Sequence, residues 1–294
     1  MHKITPHLWF DTEAKNAAKF YTSLFKTSQI TNVTTLHDTP SGDCDVVSFT
    51  LAGQSFMAIS AGPLFKFNPS VSFHMKCETK DEVDSLWEKL SKGGTVLMEL
   101  GSYPWSERYG WLNDKYGLSW QIIAAGKGDI TQRIVPVLMF VGEVCGKAEE
   151  AVNFYTSVFH NAKVGNLMRR GKGEEPDKEG TLKYGAFTLE GLEFGAMDSA
   201  HAHNFAFNEA ISFIVHCATQ KEIDYYWNQL SAVPESEQCG WLKDKYGVSW
   251  QIVPTAMDKM MRSSNQEQLA RVTKSFLKMK KFDLAELERA YEGK

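Results

Sequence analysis

The sequence predicts an α+β protein of two homologous tandem domains followed by a helical tail. Three observations predict it. A fifteen-residue string is written twice, as YGWLNDKYGLSWQII (109–123) and CGWLKDKYGVSWQIV (239–253), with eleven positions identical. Other segments return at the same offset of about 130 residues: KITPHLWF (3–10) as RIVPVLMF, FYTSLF (20–25) as FYTSVF, and 67–90 as 207–230. Within each copy, strand-like alternation and helix-like stripes follow in one order. Solenoid repeats run at roughly 20 to 50 residues, whereas this period has the length of a whole domain. The expected boundaries are 1–127 and 131–256 for the two domains and 257–294 for the tail. Each copy is long enough to bury its own core.

The elements of copy one can be justified in turn. Ile4, Pro6, Leu8 and Phe10 alternate with Thr5, His7 and Trp9, the pattern of a strand with two distinct faces. Asp11 is placed to cap a helix carrying Ala14, Ala17, Phe20, Tyr21 and Leu24 at helical spacing. Three short strands are expected at about 29–37, 44–51 and 54–61, with Gly42 and Gly53 at the turns. A second unit opens with a strand over 70–77 and continues from the box Thr79-Lys80-Asp81-Glu82 into a helix carrying Val83, Leu86, Trp87 and Leu90. Copy two has the same start signal in Thr219-Gln220-Lys221-Glu222. Each copy closes on a hairpin, which in copy one turns at Asp114-Lys115-Tyr116-Gly117 between strands bearing Trp111 and Trp120. The order is βαβββ followed by βαβ(β)β. In the tail, Leu269, Val272, Phe276 and Leu277, then Leu284, Leu287 and Tyr291, predict two amphipathic helices broken near Lys281-Phe282-Asp283 and packed on domain two.

Composition excludes several classes of function. The chain is 43% hydrophobic and 23% charged with a formal net charge of -4, so no global basic field draws it to nucleic acid or to an anionic membrane. No apolar run approaches the ~18 residues of a membrane span, and the first ten residues lack a signal peptide's pattern. Five cysteines, Cys44, Cys77, Cys145, Cys217 and Cys239, form neither a CxxC pair nor a ligand-like cluster. Free thiols and a cytoplasmic location are expected.

With these residues in place, the chain resembles the PhnB-like family, often labelled 3-demethylubiquinone-9 3-methyltransferase. The likeness rests on the F-Y-x-S-x-F helix, the T-x-x-E-[VI]-D-x-x-W helix and the terminal G-W-L-x-D-x-Y-G-[LV]-S-W-Q-I, present in both copies. That family belongs to the vicinal oxygen chelate superfamily, with glyoxalase I, bleomycin-resistance proteins and extradiol dioxygenases. The resemblance implies two tandem vicinal oxygen chelate domains, each of paired βαβββ modules with sheets curled around a cup. It further implies that enzymes of this kind hold a divalent metal on cup-facing His and Glu, with a Glu on the last strand. At that terminal position this chain has Gln121, and Gln251 in copy two. Glutamine's neutral carbonyl is a poorer ligand than carboxylate and cannot act as a base.

The candidate site is therefore a ligand-binding cup in domain one, formed by Thr5, His7, Trp9, Ser72, His74, Tyr103, Trp105 and Gln121. Its expected occupant is a planar or amphipathic small molecule, with catalysis left open. In the alternative, His7, His74 and Gln121 hold a divalent metal as the cofactor of lyase, isomerase or dioxygenase chemistry. Methyl transfer is the third and weakest reading, because neither copy carries a GxGxxG-like turn after its first strand. Copy two has Val137 and Ile214 where copy one has His7 and His74, so only one copy is expected to be competent. Within 91–108 a strand near Thr95 to Met98 and a loop carrying Tyr103, Pro104 and Trp105 are expected, and 169–180 is expected to be a flexible loop. Trp87, Trp120, Trp227 and Trp250 are read as core, Cys77 and Cys217 as small hydrophobes, and Asp114 and Asp244 as acceptors of turn hydrogen bonds. Besides a small-molecule ligand, the partner is either a second copy in a homodimer or, in a monomer, the other half of an internal pseudo-dimer.

Overall fold

The computed structural model describes residues 3–128, 130–263 and 265–294. Copy one runs β1 (Ile4–Phe10), α1 (Ala14–Leu24), β2 (Gln29–Thr39), β3 (Gly42–Leu51), β4 (Gln54–Ser60), β5 (Val71–Cys77), α2 (Lys80–Ser91), β6 (Thr95–Tyr103), β7 (Ser106–Asn113) and β8 (Ser119–Ala124). Copy two repeats the order as β9 (Ile134–Phe140), α3 (Ala148–Val158), β10 (Ala162–Arg169), β11 (Leu182–Leu189), β12 (Leu192–Asp198), β13 (Ile211–Cys217), α4 (Gln220–Leu230), β14 (Trp241–Lys243) and β15 (Ser249–Pro254). It lacks a counterpart of β6. The tail forms α5 (Thr255–Ser263), α6 (Gln266–Phe276) and α7 (Leu284–Glu292). The expected break near Asp283 is present, and Asp283 caps α7 by accepting from Glu286 N at 2.9 Å.

Local chemistry explains most of these boundaries. Thr79 and Thr219 each accept from the backbone N–H of the glutamate three residues on, at 3.2 Å. Asp114 accepts from Tyr116 N at 2.8 Å and Leu118 N at 3.1 Å while its other oxygen accepts from Trp120 Nε1 at 2.9 Å. Asp244 makes the same three bonds to Tyr246, Val248 and Trp250. The repeated aspartate thus ties the turn to the core indole. One expected cap is different: α1 starts after Glu13 without a side-chain cap on its own strand end, and Ser60 Oγ at the end of β4 accepts from Ala14 N at 3.1 Å. In copy two Asp198 takes that position and accepts from Ala148 N, Gly146 N and Leu182 N. A cap delivered from a neighbouring strand cannot be read from residues adjacent to the helix.

The strands assemble into two sheets, and each sheet draws on both copies. A seven-stranded sheet has the order β14-β15-β13-β1-β4-β3-β2, and an eight-stranded sheet the order β10-β11-β12-β9-β5-β8-β7-β6. β1 pairs antiparallel with β13, placing His7 opposite Ser212, and β5 pairs antiparallel with β9, placing His74 opposite Val135. The compact units follow the sheets. The first unit comprises the residues up to Lys66 with Asn208–Lys294, and the second comprises Phe67–Phe207. The sequence repeats and the compact units therefore cut the chain at different places, because the first strand of each half-copy finds its partner in the other copy. Each unit keeps the α+β layering, with α1 and α4 on the seven-stranded sheet and α2 and α3 on the eight-stranded one.

Buried side chains bear out the core assignments for Trp120, Trp250, Trp227, Cys77 and Cys217. Burial pushes both thiols up to about 12, so neither is a nucleophile at neutral pH. Trp87 is half-buried, its ring lying against Gly110 where a Cβ would come within 2.4 Å of it. One loop expectation is corrected. Residues 95–113 form a long hairpin, β6 and β7, with Pro104 and Trp105 at its turn, so Tyr103 ends a strand instead of riding on a loop. The segment 169–180 is held by ion pairs: Arg170 bridges Glu174 at 3.1 Å and buried Asp177 at 3.0 Å, and Lys183 meets Glu174 at 2.9 Å.

Candidate functional site

The predicted site residues divide between the two units. Thr5, His7 and Trp9 lie on β1 in the first unit, while Ser72, His74, Tyr103 and Gln121 lie on strands of the second and Trp105 in the turn between β6 and β7. The single cup expected in domain one is thus two half-sites, each completed by residues of the other copy. The proposed metal set of His7, His74 and Gln121 is split in the same way. The first unit then offers His7 and His216 with the last-strand Gln251, and the second offers His74 with Gln121. Among the described residues no cluster of three or more His, Cys, Asp or Glu has a geometry that could hold a metal ion. The residues present therefore do not assemble the His and carboxylate donor set of a chelating site, and no chemical step is routed through a metal.

In the second unit the cup is filled by its own side chains. The His74 ring is flanked edge-to-face by Tyr109 at 6.5 Å and Tyr184 at 6.1 Å. Tyr103 stacks on Trp105 at 5.0 Å, and both stand perpendicular to Tyr109 at 5.5 and 5.6 Å. Gln121 is satisfied on both sides, donating from Nε2 to Ser72 Oγ and accepting at Oε1 from Tyr109, each at 2.8 Å. Gly195 makes room for Tyr184, whose hydroxyl lies 2.9 Å from where a Cβ would be. Both nitrogens of His74 are buried without a hydrogen-bond partner, and burial followed by the charge of Lys76 holds its pKa down at about 4.

In the first unit the same positions are occupied by smaller residues, and a cavity of about 520 Å³ opens. By the alignment of the copies, Val46 stands where Tyr184 does and Cys239 where Tyr109 does. Both line the cavity. Trp9, Trp241 and Phe65 form an aromatic wall, and His7 packs edge-to-face on Trp241 at 5.4 Å. His7 Nδ1 is buried without a partner, and burial alone holds this imidazole at about 3. It is neutral at physiological pH. Gln251 donates from Nε2 to Ser212 Oγ at 2.9 Å but has no tyrosine at the place from which Tyr109 satisfies Gln121. Trp241 has also left the position of its counterpart. Trp111 donates to Ser119 Oγ at 2.8 Å, whereas Ser249 Oγ has no partner.

The tail closes this cavity. Met257, Met261, Phe276, Leu277 and Phe282 line it from the tail side, and Thr34 Oγ1 on β2 donates to Met261 O at 3.1 Å. On α5, Asp258 Oδ2 lies 3.9 Å from His216 Nδ1, and His216 Nε2 is 3.1 Å from Thr5 Oγ1. Thr5 thus supports His216, which lines the cavity, and is not itself a lining residue. Sequence reasoning missed His216, Asp258, Val46, Cys239 and Trp241. His216 shares strand parity with Ser212 and Ile214, and Cys239 differs from Tyr109 within the duplicated string, so both signals were present in the sequence.

Curled sheets of paired βαβββ modules define a vicinal oxygen chelate fold. Glyoxalase I from Zea mays is similar over 88% of this chain and 96% of its own, with 12% identity and a TM-score of 0.52, a likeness of fold. The chain belongs to the PhnB-like family, whose model, described as 3-demethylubiquinone-9 3-methyltransferase, matches residues 2–123 and again 132–253. A putative 3-demethylubiquinone-9 3-methyltransferase, PhnB protein, from Bacillus cereus is 42% identical over 40% of this chain and 96% of its own, with a TM-score of 0.38. No curated protein matches the chain. No helix among the described residues is long and apolar enough to cross a membrane.

Proposed function

We propose that the chain binds a mostly apolar, partly aromatic small molecule in the cavity of the first unit. The observation that carries this reading is the pair of differences between cups. Val46 and Cys239 leave open a volume that Tyr184 and Tyr109 fill in the other unit, and about 520 Å³ lies in the usual range for organic ligands. Trp9, Trp241 and Phe65 supply flat apolar surface, with His7 and Gln251 as polar contacts. Chelation chemistry and methyl transfer have less support: among the described residues no three His, Cys, Asp or Glu cluster so as to hold a metal ion, and β1 runs into Asp11-Thr12-Glu13 rather than a glycine-rich turn. The pairing of β1 with β13 favours the internal pseudo-dimer over a homodimer, and five free thiols favour the cytoplasm.

The test restores the tyrosines. Val46→Tyr with Cys239→Tyr is expected to weaken binding of a flat aromatic compound, found by quenching of tryptophan fluorescence across a panel, by at least about tenfold. Far-UV circular dichroism should be unchanged. Undiminished binding in the double variant, or no binding of any panel member to the parent protein, would overturn the proposal.

A further inference from the structure

The aromatic wall has a geometry that goes beyond apolar burial. Trp9 stands perpendicular to two neighbours, 5.1 Å from Phe65 at 79° and 5.9 Å from Trp241 at 78°. Its indole N–H is engaged by Gly62 O at 2.8 Å, which fixes the ring. His7, the fourth ring, is neutral. Rings meeting at right angles make a corner, and aromatic faces carry negative potential that attracts a cation within about 6 Å of the centroid.

The charges around this corner have the matching sign. Glu209, Glu235 and Asp258 line the cavity, against Arg262 as the lone basic lining residue. Glu209 is fixed next to the corner, because Trp9 N–H donates to the carbonyl of the following residue, Ala210, at 2.8 Å. Its carboxylate is paired with Lys243 at 2.8 Å, and Lys243 is outside the cavity lining. In the second unit, the positions of His7, Trp9 and Glu209 hold Val137, Met139 and Pro69, so the residues of this corner are not repeated there.

We propose that this corner takes the cationic end of the ligand, a quaternary or tertiary ammonium group, with Trp9, Trp241 and Phe65 as the cage and Glu209 as the counter-charge. The inference rests on the cavity being a ligand site. It narrows the ligand class from apolar aromatics to amphiphilic amines, and disfavours carboxylates and sulfonates.

Phenyltrimethylammonium and tert-butylbenzene have nearly the same shape and differ in charge, so the pair isolates the electrostatic part of binding. The full-length protein is expected to bind the cation at least about tenfold tighter, a margin of about 1.4 kcal/mol. Benzenesulfonate is expected to be the weakest of the three. Trp241→Leu and Glu209→Gln should each shrink the cation's advantage over tert-butylbenzene several-fold. Equal affinity for cation and neutral isostere, or preference for the sulfonate, overturns the cation inference and leaves the cavity reading intact. Failure of all three to bind, with the Val46→Tyr and Cys239→Tyr protein behaving identically, sinks both.

Discussion

His7 and His74 occupy first strands of half-copies, and burial keeps both imidazoles neutral, at about 3 and about 4. An unfolded chain would protonate them near 6.5. Between those values and 6.5 the unfolded state binds more protons, so stability rises with pH across the window and is lost as pH falls through it. At pH 4.5 each histidine is expected to cost about 2–3 kcal/mol relative to pH 7. The other copy suggests the replacements, Val137 for His7 and Ile214 for His74. Urea unfolding of His7→Val and His74→Ile should show a flatter stability profile between pH 4.5 and 6.5 than the parent. Parallel profiles would mean that these imidazoles are not the groups being titrated.

The tail helices form one body with the floor of the first unit's cup. Val272, Phe276, Phe282 and Leu287 share a hydrophobic cluster with Leu36 and Cys44 of β2 and β3, and methionines at 257 and 260 complete it. Methionine adapts to irregular gaps, which suits a cover over a cavity. Gly240 bears the closest contact, since a Cβ there would come within 2.5 Å of the Phe282 ring. Removing residues 257–294 should speed amide exchange in β2, β3 and β15 while leaving β9 to β12 protected, by hydrogen-exchange mass spectrometry. Equal loosening of both sheets would show that the tail's role is global. Much of this was legible from the sequence. Periodicity placed the strands, the Thr-x-x-Glu boxes placed α2 and α4, and the break at Asp283 was visible. The continuation of β6 from Met98 to Tyr103 was not, because register shifts between Val96 and Tyr103 break the alternation on which strands are recognised. Nor could the sequence place His7 and His74 in separate cups, since alternation fixes which face a residue takes and not which strand lies alongside.

At the scale of the whole chain, the repeat and the compact unit are different objects. Residues 1–127 contain β1 and β5, yet neither strand has its antiparallel partner within that span. Produced alone, this fragment is expected to self-associate into a dimer in which copies supply one another's missing strands, and to convert to a one-to-one complex when made together with residues 131–294. Light scattering distinguishes these species. A folded, monomeric 1–127 fragment would refute the exchange. Composition and repeats announced the fold class, but this pairing required the register of the sheets.

That pairing has an evolutionary consequence. In a symmetric dimer of identical chains, every substitution appears in both cups at once, so a tyrosine that plugs one plugs the other. Joining the copies through a single linker removed that constraint. Tyr109 and Tyr184 stand on one side and Cys239 and Val46 on the other, a difference that two identical chains could not carry. The filled half then serves as a scaffold that tolerates drift in the open half, and selection for a new ligand can act on one pocket alone.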